Sequence, residues 1–390
     1  MRRRLLEALG LAVVVTASAV ALQLWPVAVA GQAPASRAPV GAAASGQTPR
    51  TPWGHPDLQG IWLDEFNTPL ERPARYADRE FLTDQERAAL DAERSGQVGR
   101  DQRAERGSQR DVAGAYNAVF NSVKPTGRRT SLVVEPANGR IPALTAEVER
   151  RNRWDREFRL ALIQNTETCK LKLPACNGWQ YGPPSTRFAE TLPFYNTDRM
   201  NRHNGPEDQS LGDRCMSGTT PDFNGFKRIA QGPDAIAIAI DTGQGQSYQR
   251  LVYLSGSHPP SQIKLRHGDS RGRFEGGTLV IETTNFSPKH PFREAAEGLT
   301  LVERFTRVDP DTLEYAVTVA DPTVWTAPWT VKQELKRQNE EQNRIYYEPR
   351  CHEGNYGLPA LLIGARSDEK SYKEGRGPDP RSLDTATGGG

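Results

Sequence analysis

Between residues 226 and 349 apolar and polar positions alternate in short runs: FKRIAQ, AIAIAI, YQRLVYL, QIKLR, TLVIETT, LTLVERFTRV, LEYAVTV, WTVKQEL and RIYYEP. A period of two marks half-buried strands, and LEYAVTV shows it plainly, with Leu313, Tyr315, Val317 and Val319 on one face. Asp-Pro and Gly-Gly signals separate several runs, which predicts an antiparallel meander. So many edges are disposed of most simply by closure, so the pattern predicts a mainly β fold, an antiparallel β-barrel or strongly curved sheet.

Upstream the period changes. A short strand is expected around Gly60–Leu63, and FLTDQERAALDAER carries a capping box, Thr83 with Glu86, that predicts a helix. In RTSLVVEPANGRIPALT an apolar run meets an Asn138-Gly139 turn and a helix start at Thr145, with the helix running through LTAEVERRNRWDREFRLALIQ. Trp154, Phe158, Leu160 and Ile163 are expected on its buried face. The stretch 96–114 is charged and almost without apolar residues, so a solvated loop is expected, and 165–225 shows neither period. The resulting division is an export signal at 1–30 and a flexible linker at 31–52. A segment of strand, two or three helices and irregular chain follows at 53–225, packing on the barrel. The meander occupies 226–370 and a disordered tail 371–390.

The first thirty residues join Arg2–Arg4 to a long apolar run ending in Ala28-Val29-Ala30, the pattern of a cleaved export signal. An uncleaved anchor is the competing reading, since the run approaches the ~20 residues a spanning helix needs. The general secretion route is favoured over the twin-arginine route, and a periplasmic or secreted location follows. Loss of three Arg and one Glu takes the formal charge from +2 to 0. That balance implies no nucleic-acid partner and no membrane contact beyond the signal segment. Four cysteines in an exported chain are expected to be oxidised. Cys169 and Cys176 close a short local loop, leaving Cys215 for Cys351.

PDLQGIW, TPLERP, RTSLVVEPANGRIPALT, LGDRC, HGDSRGRFEGGTLVIETTNF, VERFTRVDPDTLEYAVTVADPTVWTAPWT and CHEGNYGL together resemble a large family of secreted bacterial proteins of undefined function, over residues of about 53 to 370. The resemblance implies a secreted, β-rich protein and supplies no catalytic role. The chain departs from the usual wording at Gly277, where an acidic residue is expected. More remotely, Gly60-Ile61-Trp62 before many strands is similar to lipocalin-like barrels.

Candidate chemistry gathers in two places. His267, Asp269 and Arg271 share a side of an extended chain, where a carboxylate can orient an imidazole base and the guanidinium can hold an anion. The structural alternative is a turn in which Asp269 caps amides and pairs with Arg271. Glu282 interrupts TLVIETT; facing inward it would be a desolvated acid, and facing water it would pair with Arg304 or Arg307. CHEGNYG places His352, Glu353, Asn355 and Tyr356 in a loop suited to ligand contacts. His258 and His203 are outside candidates, His55 and His290 read as surface residues, and Trp325 and Trp329 read as core or as the paving of an apolar pocket. A metal held by His267, Asp269, His352 and Glu353 is not favoured, because no ligand spacing supports it, and no GxSxG elbow is present. The expectation is a cofactor-independent enzyme of lyase, hydratase, isomerase or hydrolase type. It would use acid/base chemistry on a small, mostly apolar molecule, the alternative being a non-catalytic ligand-binding protein.

Overall fold

A computed structural model of the chain describes residues 49–95, 124–164, 171, 203–209, 211–216, 218–223, 225–241, 247–338 and 355–380. Among the described residues there are ten strands: β1 (Gly60–Asp64), β2 (Val133–Glu135), β3 (Phe226–Gln231), β4 (Ala235–Asp241), β5 (Ser247–Tyr253), β6 (Asp269–Glu275), β7 (Thr278–Thr284), β8 (Thr300–Asp309), β9 (Thr312–Ala320) and β10 (Trp329–Arg337). The helices are α1 (Asp84–Ser95), α2 (Ala146–Gln164) and α3 (Gly357–Lys373).

The strands close. β1 pairs antiparallel with β3 on one side and with β10 on the other, and β3 to β10 follow in sequence order, giving a nine-stranded barrel. β1 has five residues and β10 nine, so β1 covers only the far end of β10; β2 pairs with the open beginning, Thr330 and Val331. Together they cover most of this edge of β10, which shortens a template for unwanted pairing.

Nine strands cannot alternate direction all the way round a closed ring. The parity is met at one place, where β5 and β6 run parallel through Val252↔Ser270 and Tyr253↔Arg271. A parallel contact between consecutive strands requires the chain to return along the barrel's length before starting again. Residues 254–268 make that return. This is why QIKLR, expected as a strand, forms only an isolated bridge at Leu265↔Phe286. Six of the other runs are strands β3, β4, β5, β7, β8 and β9, WTVKQEL is part of β10, and RIYYEP lies outside the described residues. The polar stretch DSRGRFE is itself a strand, β6, so the capped-turn reading of Asp-Ser-Arg-Gly is corrected. It closes onto β7 through the two-residue turn Gly276-Gly277, where Gly276 takes φ +60°.

The core is the barrel's own interior. Trp62, Ile229, Ile236, Ile238, Val252, Leu279, Ile281, Leu301, Phe305, Leu313, Tyr315, Val317 and Val331 are all almost fully buried. The end where β3, β5, β8 and β10 finish is sealed by the entry segment. Leu58 N–H donates to Gln231 Oε1 at 2.6 Å, Trp62 Nε1 donates to Leu58 O at 2.8 Å, and the Arg307 guanidinium lies 5.5 Å from the Trp62 ring. At the opposite end residues 218–223 fold over the opening, with Phe223 edge-on to Trp329 and its carbonyl accepting from Gln333 Nε2 at 2.8 Å.

α1 begins with the expected reciprocal box, Thr83 N–H to Glu86 Oε2 at 2.8 Å and Glu86 N–H to Thr83 Oγ1 at 3.2 Å. On α2, Val148, Phe158 and Ala161 are buried. Trp154, expected there too, is 39 % exposed and lies parallel to Phe158 at 6.0 Å; the side chains of Leu160 and Ile163 lie outside the described residues. α3 falls at the end of the expected meander rather than near the N-terminus. The export signal, most of 165–202, and Cys169, Cys176, Cys351, His352 and Glu353 lie outside the described residues. No described helix is long and apolar enough to cross a membrane.

Candidate site in the barrel interior

Among the described residues the inward phase of the strands carries charge at five positions: Asp64 on β1, Arg307 on β8 toward the sealed end, and three further along the interior. Lys227 alternates with Ile229 on β3, Arg250 stands between Tyr248 and Val252 on β5, and Glu303 between Leu301 and Phe305 on β8. Each is buried among apolar neighbours, where an ion survives only if it is compensated. Arg250 and Glu303 compensate each other: Arg250 Nη2 donates to Glu303 Oε1 at 2.7 Å and Tyr315 Oη donates to the same oxygen at 2.9 Å. Arg250 Nη1 reaches Ser270 Oγ and Thr283 Oγ1, each at 3.3 Å, and these two hydroxyls pair at 2.9 Å. Burial opposes the Arg250 charge, but Glu303, Tyr248 and Tyr315 outweigh it and raise its pKa. The Tyr315 phenol is pushed up by burial and by Glu303 and stays protonated.

Lys227 is different. It is 1 % exposed, and its Nζ is buried with no hydrogen-bond partner. Its Nζ lies 5.6 Å from the centroid of the Tyr315 ring. Burial pulls its pKa down and is the largest influence; Asp222, Asp64 and Glu303 pull the other way without cancelling it. Gln333 Oε1 and Trp329 Nε1 are also buried without partners. Lys227 is in register with Trp62 on β1, which is itself in register with Arg337 at the end of β10, whereas Trp329 begins β10 beside the 218–223 cover. Tyr248, at the same end of β5, donates to Thr219 O at 2.6 Å, and burial and Asp222 raise its pKa.

His267 caps this end. Its ring stacks on Tyr248 at 4.1 Å and 11°, and its Nδ1 is 3.1 Å from Thr220 Oγ1. Burial, then Arg266, Arg250 and His290, depress its pKa to about 3, so the imidazole is neutral and a weak base at ordinary pH. No contact joins it to Asp269 among the described residues, which corrects the expected dyad. Asp269, with its side chain 8 % exposed, is held instead by Arg271, Nε to Oδ1 at 2.7 Å and Nη2 to Oδ2 at 3.1 Å, and by His258 Nδ1 at 2.7 Å. Arg271 Nη1 also donates to Ser255 O at 3.1 Å, and Asn285 Nδ2 to Pro259 O at 3.0 Å. His258, Ser255 and Pro259 all belong to the return segment. Asp269 and Arg271 therefore fasten that segment to the outer wall.

Glu282 faces outward, with its side chain 47 % exposed; it pairs with Arg273 at 2.7 Å, so neither the desolvated acid nor the expected Arg304 or Arg307 partner is found. Trp325 and Trp329 are buried edge-to-face at 5.7 Å, which is core packing around Phe292 and Phe223. Asn355 Nδ2 donates to Asp213 O at 2.6 Å and contacts Cys215 Sγ at 3.3 Å, while Oδ1 accepts from Leu358 N–H at 3.3 Å. Tyr356 is 80 % exposed. Cys215 is disulfide-bonded. His203 Nδ1 lies 2.7 Å from Gln209 Nε2; His55 stacks on Phe274 at 4.4 Å, and both His55 and His290 are half-buried rather than surface residues. Among the described residues no three His, Cys, Asp or Glu side chains gather closely enough to hold a metal ion. At Gly277 a Cβ would meet nothing within 4 Å, so an acidic residue there would stand at a turn tip away from the interior.

Searches against family models, curated proteins and solved structures find no match to the chain. The site therefore rests on its own geometry. Sequence reading missed Lys227, Arg250 and Glu303, although the signal was present: each sits in the apolar phase of its run, two residues from an inward Ile, Val, Leu or Phe.

Proposed function

We propose that the chain is an exported, cofactor-independent enzyme that performs acid/base chemistry on a small, mostly apolar molecule held inside the barrel. The observation that carries the reading is Lys227, a fully buried amine without a hydrogen-bond partner in a largely apolar interior. Such a group weakens the fold, and a desolvated lysine of lowered pKa is a competent base or nucleophile near neutral pH. In this reading Lys227 takes the proton, and Arg250, held ionised by Glu303, supplies the fixed positive charge beside which a developing anion is stabilised. The apolar walls of Ile238, Ile240, Val317 and Val331 suit a mainly hydrocarbon substrate. The export-signal pattern of residues 1–30 supports a periplasmic or secreted location.

A non-catalytic ligand carrier is the second reading, favoured by the closed hydrogen bonding of Tyr248 and Tyr315, neither of which has its proton free to give. One comparison separates the two. Purified protein and its Lys227→Met variant are incubated with a cellular small-molecule extract, and the extract is profiled before and after. Catalysis predicts a substrate consumed and a product formed by the native protein, with the rate down about 100-fold or more in the variant. A molecule retained by both proteins at unchanged mass, with nothing consumed, would establish the carrier and refute the enzyme.

A further inference from the structure

The covered end of the barrel gathers the guanidinium groups of Arg214 and Arg266 and the imidazoles of His267 and His290, which are neutral at ordinary pH. Arg266 and His267 lead into β6, His290 and Lys289 follow β7, and Arg214 lies in the turn just before the 218–223 cover. All of these segments meet at the end where β5 and β6 begin. Arg266 is secured by its Nη2, which donates to Met216 O, and His267 by its stack on Tyr248. Arg214 Nε, Arg266 Nε and His290 Nδ1 are nevertheless buried without hydrogen-bond partners. No carboxylate forms an ion pair with Arg214 or Arg266 among the described residues. The groups disturb one another instead: Arg214 and Arg266 each repel charge on His290, and Arg266 and Arg250 do so on His267.

Two guanidinium groups brought together without an ion-pairing carboxylate among the described residues cost free energy that folding does not recover, and planar guanidinium groups with free N–H edges match an oxyanion. Burial strengthens such a contact by excluding competing water. We propose that Arg214, Arg266 and His290 form a recognition site for a carboxylate or sulfonate head group, carried by the molecule whose apolar body enters the barrel. The inference rests on the interior-site reading and names its substrate class: small amphipathic organic anions, with the charged end at the cover and the hydrocarbon end toward Lys227 and Tyr315.

Two fluorescent dyes with nearly the same aromatic body make the test, anilinonaphthalene sulfonate and its uncharged counterpart phenylnaphthylamine. The proposal predicts that the sulfonate binds the folded protein at least about 10-fold more tightly than the neutral dye, a difference of ~1.4 kcal/mol. It also predicts that only the sulfonate weakens as salt rises. Arg214→Gln and Arg266→Gln should each weaken the sulfonate by about 10-fold and leave the neutral dye where it was. Arg214 donates no described structural bond, so its variant keeps the test alive if Arg266→Gln fails to fold. Equal affinities in the native protein, or a sulfonate affinity indifferent to both substitutions, would overturn the head-group site while leaving the apolar interior standing. Failure of both dyes to bind would overturn the interior reading together with it.

Discussion

Asp269 and His267 stand two residues apart and do opposite work. Asp269 binds the return segment through His258 and the sheet through Arg271, whereas His267 turns to Tyr248 and Thr220. Asp269→Asn keeps the shape but strips the counter-charge from Arg271, so it should cost about 1–3 kcal/mol, read as a shift of the urea midpoint. Ligand binding by the molecules that remain folded should be unaltered; a loss of binding without loss of stability would return Asp269 to the site. His267 and His290 govern the acid limb. Their folded pKa values, about 3 and about 4, lie below the 6.5 of the free imidazole. As pH falls the unfolded chain takes up protons first, so the stability these groups contribute is full above pH 6.5 and is lost toward pH 3. His267→Phe, which keeps a ring against Tyr248, should lose less stability than the native protein between pH 7 and pH 4, and equal losses would refute the assignment.

At the scale of elements, β6 decides how the polar stretch is understood. Its outer face carries Asp269, Arg271, Arg273 and Glu275, and its inner face Ser270, Gly272 and Phe274. Gly272 lets the parallel partner approach, because a Cβ there would stand 2.7 Å from Val252 Cγ1. Gly272→Ala should therefore destabilise the barrel by about 1–3 kcal/mol through overpacking, measured by thermal or urea unfolding, and a neutral effect would contradict the packing of β5 on β6. Most strands were legible because alternation survives wherever one face is apolar, as in LEYAVTV. The phase of TLVIETT was not: Leu279, Val280 and Ile281 are all buried, so the sequence does not say which side Glu282 takes. QIKLR failed for a different reason, since the return to a parallel start is a demand of ring closure that no local pattern encodes. Lys227, Arg250 and Glu303 were passed over because charge in a strand is ordinarily solvated, and only closure of the ring turns that phase inward.

At the scale of the whole molecule, a ring plugged at one end by Trp62 and Leu58 and covered at the other by residues 218–223 encloses the Arg250–Glu303 pair and the buried amine of Lys227. The Arg250–Glu303 pair is tied to Tyr315, Ser270 and Thr283, a network over five strands that holds the walls in register. Lys227 holds nothing. A buried amine retained in an apolar interior without a hydrogen bond is the central claim, and its thermodynamic consequence is independent of any substrate. Lys227→Met preserves length and volume while removing the desolvated polar end, so it should raise the free energy of unfolding in urea by about 1–3 kcal/mol at pH 7. Destabilisation by a similar amount would contradict the account, because it would show that Lys227 is an integral partner of the fold and not a group kept for chemistry.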